Sequence, residues 1–197
     1  LNADMIFNFA AQTPDILDRD LDTLLESEVA QITYYPLMVS DSTRQLMEKN
    51  MGRVDYNREG SYYKQIVRRL VPSYRFSSVW CFSRRDALVD EYIVSYDEYA
   101  GLGSGSFGFL DGICYANTFN IEEYIARVNR GELPLMASRS FETNDRVLYD
   151  LLMMLFGLHL DFKSFESKYG RSVWNHLWLP FLGLRLIGAI GNRMGDY

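Results

Sequence analysis

Two cysteines, Cys81 and Cys114, are all that the 197 residues contain. No disulfide framework can staple such a chain, and a reducing compartment is expected. Their separation matches no metal-binding pair. Histidine is equally scarce: His159 and His176 stand alone, more like core or surface residues than ligands. Positive charge is short as well. Twenty Lys and Arg face 26 Asp and Glu, a net charge of −6, so nucleic acid has no basic footprint to bind. A long apolar run is missing too. Val173 to Ile190 is interrupted by Asn175, His176, Pro180 and Arg185, which excludes it as a membrane span. No signal-peptide pattern opens the sequence, and a cytoplasmic location is the expectation.

What is present is apolar and aromatic. Hydrophobic residues make up 48% of the chain and aromatics 15%, with 14 Tyr and 12 Phe. That suffices for one good core, or one and a small appendage. The aromatic share suits burial against flat ligands and an ordinary aromatic core equally.

The most distinctive stretch is Tyr92 to Asn117. Gly101, Gly103, Gly105 and Gly108 crowd into it, and Asp111-Gly112 follows between two apolar runs. Asp-Gly so flanked predicts a hairpin with a type I′ turn, because both central positions need positive φ. Dense glycine in a strand-like segment predicts close approach to the backbone, and its N–H groups could serve an anion. Gly103-Ser-Gly-Ser-Phe-Gly108 also fits the dinucleotide-binding pattern, but a hairpin turn follows where a helix should begin.

Taken in order, Ala3 to Phe9 reads as a buried strand. Thr13 and Pro14 open a helix with Ile16, Leu17, Leu21, Leu24 and Leu25 on one face, and Gln31 to Val39 reads as the next strand. This is a βαβ unit with parallel pairing. Ser42 to Asn50 and Tyr56 to Leu70 read as helices, Tyr74 to Phe82 as a strand, and Glu91 to Ser95 as a short edge strand. Asn120 and Glu123 have capping-box spacing before a helix ending at Gly131. Pro134 reads as linker, and helical patterns follow, capped by Thr143 and Asp161. Val173, Trp174, Leu177, Trp178 and Phe181 mark a last inner helical face, and Leu184 to Ile190 reads as a small strand. A boundary is expected near Glu132.

Gly101-Leu-Gly-Ser-Gly-Ser-Phe-Gly-Phe-Leu-Asp-Gly112 with Tyr115-Ala-Asn117 resembles a late strand of the oxygen-independent coproporphyrinogen III oxidase family of radical S-adenosylmethionine (SAM) proteins. Asn2-Ala-Asp-Met-Ile-Phe-Asn-Phe-Ala-Ala-Gln12-Thr13 resembles that family's fifth barrel strand, and Gln31-Ile-Thr-Tyr-Tyr-Pro-Leu-Met38 its sixth. The likeness is collinear and covers nearly the whole chain.

The resemblance implies an α/β fold: the later strands of a partial TIM-type radical SAM barrel with a hairpin (1–132), then a small, mainly helical C-terminal domain (133–197). It implies that the parent protein is an oxidoreductase using SAM and a [4Fe–4S] cluster. A radical derived from SAM would abstract hydrogen from a tetrapyrrole, and two propionates would be oxidatively decarboxylated to vinyls in porphyrin and haem biosynthesis. Asp4, Met38 and Phe107 would contact SAM, with Gly103 and Gly105 beside them. Arg84 and Arg85 are candidates for gripping substrate propionates. A Cys-x-x-x-Cys-x-x-Cys loop holds the cluster in that family. These residues do not contain it, so the chain reads as the later half of a longer enzyme, inactive alone and dependent on an electron donor for its cluster. Relatives of the family degrade haem or transfer methyl groups, and one branch is a haem chaperone. That branch carries His-Asn-x-x-Tyr-Trp before the glycine strand, where Ala87-Leu-Val-Asp-Glu-Tyr92 stands here. Cut from its earlier strands, the chain would expose strand edge and self-associate.

Overall fold

A computed structural model describes residues 1–41, 43–85, 93, 96–171 and 173–188. They form two compact units, Leu1–Tyr96 with Phe156–Leu158, and Asp97–Leu155 with His159–Tyr197. The boundary expected near Glu132 falls inside the second unit.

The first unit opens with β1 (Asn2–Phe7), α1 (Pro14–Glu26) and β2 (Gln31–Pro36). The strands pair in parallel, Asp4 opposite Thr33 and Phe7 opposite Pro36, which is the predicted βαβ unit. Thr13 caps α1 by accepting from the Ile16 N–H, and Pro14 takes the first turn, where its missing donor costs nothing. α2 (Arg44–Met51), a 3-10 turn at Tyr56–Arg58 and α3 (Glu59–Leu70) follow. The single strand expected over Tyr74 to Phe82 is instead a hairpin, β3 (Arg75–Ser78) and β4 (Cys81–Ser83). The reversal at Val79-Trp80 carries none of the usual turn residues. It is held from outside the turn, by the Val79 N–H donating to the Phe156 carbonyl and by the Tyr63 hydroxyl on the Val79 carbonyl.

The sheet order is β1-β2-β4-β3, with β4 antiparallel to β2. Side chains alternate between its faces. Phe7, Ile32, Tyr34 and Phe82, with Ala3 and Met5, pack against Leu17, Leu21 and Leu24 of α1 and Tyr62, Ile66 and Leu70 of α3. Arg69 of α3 spans to α1, 3.0 Å from Asp18 and paired also with Asp22. The Tyr34 hydroxyl is buried within this core and finds no hydrogen-bond partner. Burial pushes its pKa upward.

In the second unit, β5 (Phe107–Leu110), β6 (Ile113–Asn117) and β7 (Leu135–Ser140) form an antiparallel sheet in chain order. Asp111 (φ 48°) and Gly112 (φ 71°) make the predicted turn. β7 was not expected. It occupies the stretch read as linker, and its only apolar side chains, Leu135, Met136 and Ala137, give no alternation. Its pairing with β6, Ile113 opposite Ser140, supplies what its own sequence does not.

α4 (Ile121–Asn129) is capped by the Asn120 side chain accepting from the Glu123 N–H. The Glu123 carboxylate does not return to Asn120. It accepts from the Thr118 hydroxyl at 3.0 Å and pairs with Arg127 at 2.5 Å. α5 (Thr143–Phe156), α6 (Phe162–Tyr169) and α7 (Val173–Leu186) follow. Val147, Leu151, Phe165 and Leu177 form a second core, with Trp174 and Phe181 packed on it. The strand expected from Leu184 is helical through Leu186, and α7 runs through Pro180. The apolar face of Trp174, Leu177 and Phe181 outweighs the lost hydrogen bond. Of the edge strand expected over Glu91 to Ser95, only Ile93 lies within the described residues.

Two outcomes follow from this packing. A Cβ on Gly101 would stand 2.1 Å from the Phe107 carbonyl oxygen, whereas one on Gly60 in α3 would meet nothing within 4 Å. Gly101→Ala should lower stability by about 1–3 kcal/mol and Gly60→Ala raise it by about 0.5–1 kcal/mol, read from urea midpoints. For Glu123, the Thr118 hydroxyl and then Arg127 hold the carboxyl below its usual range. A depressed folded pKa stabilises above the unfolded value, near 4.3, and that contribution disappears as pH falls through the folded value. Acid should therefore loosen the start of α4 below about pH 4.3, and Glu123→Gln should remove that pH dependence from the α4 amide shifts.

Candidate functional site

Helices α1 and α3 of the first unit pack on one face of its sheet. The opposite face carries Asn2, Asp4 and Ile6 of β1, Gln31, Thr33 and Tyr35 of β2, and Cys81 and Ser83 of β4, by alternation and register. Two rows cross the strands: Asn2, Gln31, Ser83, and Asp4, Thr33, Cys81, Ser78. Nearly every member is polar. Gln31, Thr33, Ser78, Cys81 and Ser83 are buried, and such groups require partners. The Gln31 amide donates to Cys81 Sγ at 2.9 Å and the Thr33 hydroxyl to the same sulfur at 3.7 Å. Ser77 and Ser83 hydroxyls meet at 2.7 Å. Ser78 Oγ makes no hydrogen bond. Parallel strands clad on both faces are apolar on both. This sheet instead has one apolar and one polar face.

Asp4 belongs to this polar face, exposed, with its Oδ1 accepting from Asn2 Nδ2 at 2.9 Å. It sits in mid-strand. Met38 lies two residues beyond β2, at the C-terminal end of the parallel pair, and is 68% exposed. Tyr35 packs edge-on to Trp80, and Trp80 to Phe156.

The same end of β1 carries a group that sequence reading missed. Asn8 turns the chain with φ 73°, a conformation asparagine tolerates. Its N–H donates to Gln12 Oε1 at 2.7 Å. Arg58 then closes the loop, donating to Asn8 Oδ1 at 2.9 Å, to the Gln12 carbonyl at 3.1 Å and to the Phe9 carbonyl. The Tyr62 hydroxyl also reaches the Gln12 carbonyl at 2.7 Å, beneath the guanidinium. One signal could have drawn attention to Arg58: a cation at the entry of a helix opposes the helix dipole and so has reason to be there.

The glycine segment of the second unit is packed rather than open. The Gly101 N–H donates to the Tyr115 hydroxyl at 2.9 Å, Gly103 to the Tyr124 hydroxyl at 3.0 Å, and Gly105 to the Thr118 carbonyl at 2.9 Å. Donors that an anion would use at Gly103 and Gly105 are therefore engaged within the loop. Asn117 Nδ2 binds the Gly101 and Gly103 carbonyls and the Ser106 hydroxyl, at 3.2, 3.1 and 2.9 Å. What approaches these glycines closely is Tyr115 at Gly108 and Phe119 at Gly105. Phe107 remains 54% exposed beside Phe119. No helix follows β5, which disposes of the dinucleotide pattern.

Arg84 has a different occupation from the one expected. It lies at the N-terminal end of β2, its N–H on the Ala30 carbonyl, its side chain on the Leu25 carbonyl and Glu28, and its guanidinium over Tyr74. It closes the C-terminus of α1, at the opposite end of the strands from Met38. Arg85 beside it is exposed. Among the described residues no cluster of three His, Cys, Asp or Glu could hold a metal, and no helix is long and apolar enough to cross a membrane.

No family model matches the chain. Among curated proteins it is similar to the heme chaperone HemW of Bacillus subtilis (strain 168), 22% identical over 189 residues, which cover 88% of this chain and 48% of that protein. HemW of Lactococcus lactis subsp. lactis (strain IL1403) is 24% identical over 131 residues, 64% of this chain and 35% of the relative. Among solved structures, coproporphyrinogen III oxidase (HemN) from Escherichia coli, a radical SAM enzyme, matches with a TM-score of 0.74 at 14% identity, over 99% of this chain and 49% of that one. The chain thus spans about half the length of the first of these curated relatives. Sequence and fold together bear out the resemblance: this is a mixed α/β chain akin to the coproporphyrinogen III oxidase-like radical SAM proteins.

Proposed function

We propose that this chain is the later half of a radical SAM protein acting on a tetrapyrrole, and that its first unit forms part of a barrel wall whose polar face borders SAM. The carrying observation is the unlike chemistry of the sheet's two faces. α1 and α3 clad the apolar face, while Asn2, Asp4, Gln31, Thr33, Cys81 and Ser83 line the other. Such a face has the donors and acceptors that a ribose and an amino-acid group require, and the unpartnered Ser78 hydroxyl lies in the same row. Asp4 would bind SAM through its exposed carboxylate and Met38 from the loop after β2; in the second unit, Phe107 would offer an apolar contact. The residues do not fit a [4Fe–4S] cluster, since two cysteines, Cys81 and Cys114, supply too few thiolates. Its ligands would come from elsewhere in the full-length protein.

SAM with a reduced cluster supplies hydrogen abstraction, and the reaction favoured here is propionate oxidation as in coproporphyrinogen III oxidase. In that reading the stretch after Glu132 is a domain that covers the substrate. A second reading is haem delivery without oxidation, favoured because both curated relatives are named heme chaperones. The protein would be soluble and cytoplasmic in either case.

The two are separable in the full-length protein. Under anaerobic reducing conditions with SAM and coproporphyrinogen III, the enzyme reading expects 5′-deoxyadenosine and a decarboxylated product. A carrier expects haem binding and transfer to an apo-acceptor, with no porphyrinogen consumed. Asp4→Ala should weaken SAM binding about tenfold, roughly 1.4 kcal/mol; unchanged binding would remove Asp4 from the pocket. The 197-residue chain by itself should sediment as dimers or larger, since β1 stands at the end of the strand order among the described residues. A single monomeric boundary at micromolar concentration would count against the incomplete barrel.

A further inference from the structure

We propose that Arg58 is a positioning residue that pre-forms the loop from Asn8 to Gln12 for the ligand bound beside β1. This rests on the reading above, that the polar face and the C-terminal ends of β1 and β2 border SAM. Loops after parallel strands carry binding groups because a rigid sheet aims them, and that service requires a loop that does not wander. This one has little of its own to hold it. It contains Phe9, Ala10 and Ala11 after a left-handed Asn8, and its internal bonds are Gln12 N–H to the Phe9 carbonyl at 2.9 Å and Asn8 N–H to Gln12 Oε1 at 2.7 Å.

Arg58 supplies the rest from a distant point in the sequence. One planar guanidinium reaches Asn8 Oδ1, the Phe9 carbonyl and the Gln12 carbonyl together. Those acceptors span the whole loop, so bending at any residue between them breaks a bond. Tyr62 backs the guanidinium face at 5.2 Å and adds its own hydroxyl to the Gln12 carbonyl. Asn8 Nδ2 returns the contact at the Asp55 carbonyl, 3.3 Å away. All three acceptors of Arg58 are uncharged. Gathering neutral oxygens around a cation fixes a shape, and lysine, with one tetrahedral head, cannot reproduce a planar fork.

The test is SAM affinity of the full-length protein by equilibrium dialysis, well below its melting temperature, where global stability does not enter. Arg58→Ala should weaken binding tenfold or more, Arg58→Lys nearly as much, and Asn8→Gly, which keeps the left-handed turn but loses one acceptor, about threefold. Amide exchange at residues 9–12 should accelerate in each. Wild-type protein that binds SAM alongside an Arg58→Ala variant of equal affinity would overturn the proposal and leave the site reading intact. Wild-type protein without SAM affinity would overturn both. Should Arg58→Ala not fold, Asn8→Gly decides, and wild-type affinity in that variant would sink the idea.

Discussion

The constraint on which the first unit depends is the double burial of β2. Ile32 and Tyr34 go into the helical core, Gln31 and Thr33 to the other side, and all four are fully buried. A strand in that position cannot slip by one residue, because slippage would send two amide- or hydroxyl-bearing side chains into oil and two apolar ones among polar groups. The register with β1 and β4 is thereby fixed, and with it the rows that cross the sheet. The site is a by-product of this alternation: the face that helices α1 and α3 do not claim is free to be polar.

Arginine reinforces several of the irregular segments. Besides Arg58, the Arg84 side chain reaches the Leu25 carbonyl, Arg127 the Leu135 carbonyl, and Arg146 the Phe141 and Asp111 carbonyls. Each joins a helix or strand end to carbonyls that regular structure leaves unpaired. A guanidinium is suited to this because it offers several donors in one plane. Arg84 looked like a propionate clamp from its position after a strand, and it is committed to the end of a helix.

Much of the fold was legible. The βαβ unit followed from Thr13-Pro14 and the spacing of Leu17, Leu21 and Leu24, and the hairpin from Asp111-Gly112, whose backbone requirement few other pairs meet. These are local rules, satisfied locally. What escaped was set at a distance. The reversal at Val79-Trp80 depends on Phe156 and Tyr63, β7 depends on the free edge of β6, and α7 passes through Pro180 on the strength of its core. At the site, the alternation that puts Asp4 beside Thr33 could be inferred from two strand patterns. The Arg58 latch could not, because fifty residues separate it from Asn8 and no periodicity links them. The glycine run was legible as a place of close approach, but the partner is internal: Tyr115, Phe119 and the loop's own carbonyls.

Asn117 gives the second unit a point of electrostatic sensitivity. A single amide nitrogen there faces the Gly101 and Gly103 carbonyls and the Ser106 hydroxyl. Asn117→Asp would exchange that nitrogen for an oxygen and add a negative charge without changing the shape of the residue. Two attractions to carbonyl oxygens would then become repulsions at once. An aspartate at this one position would thus loosen the glycine loop.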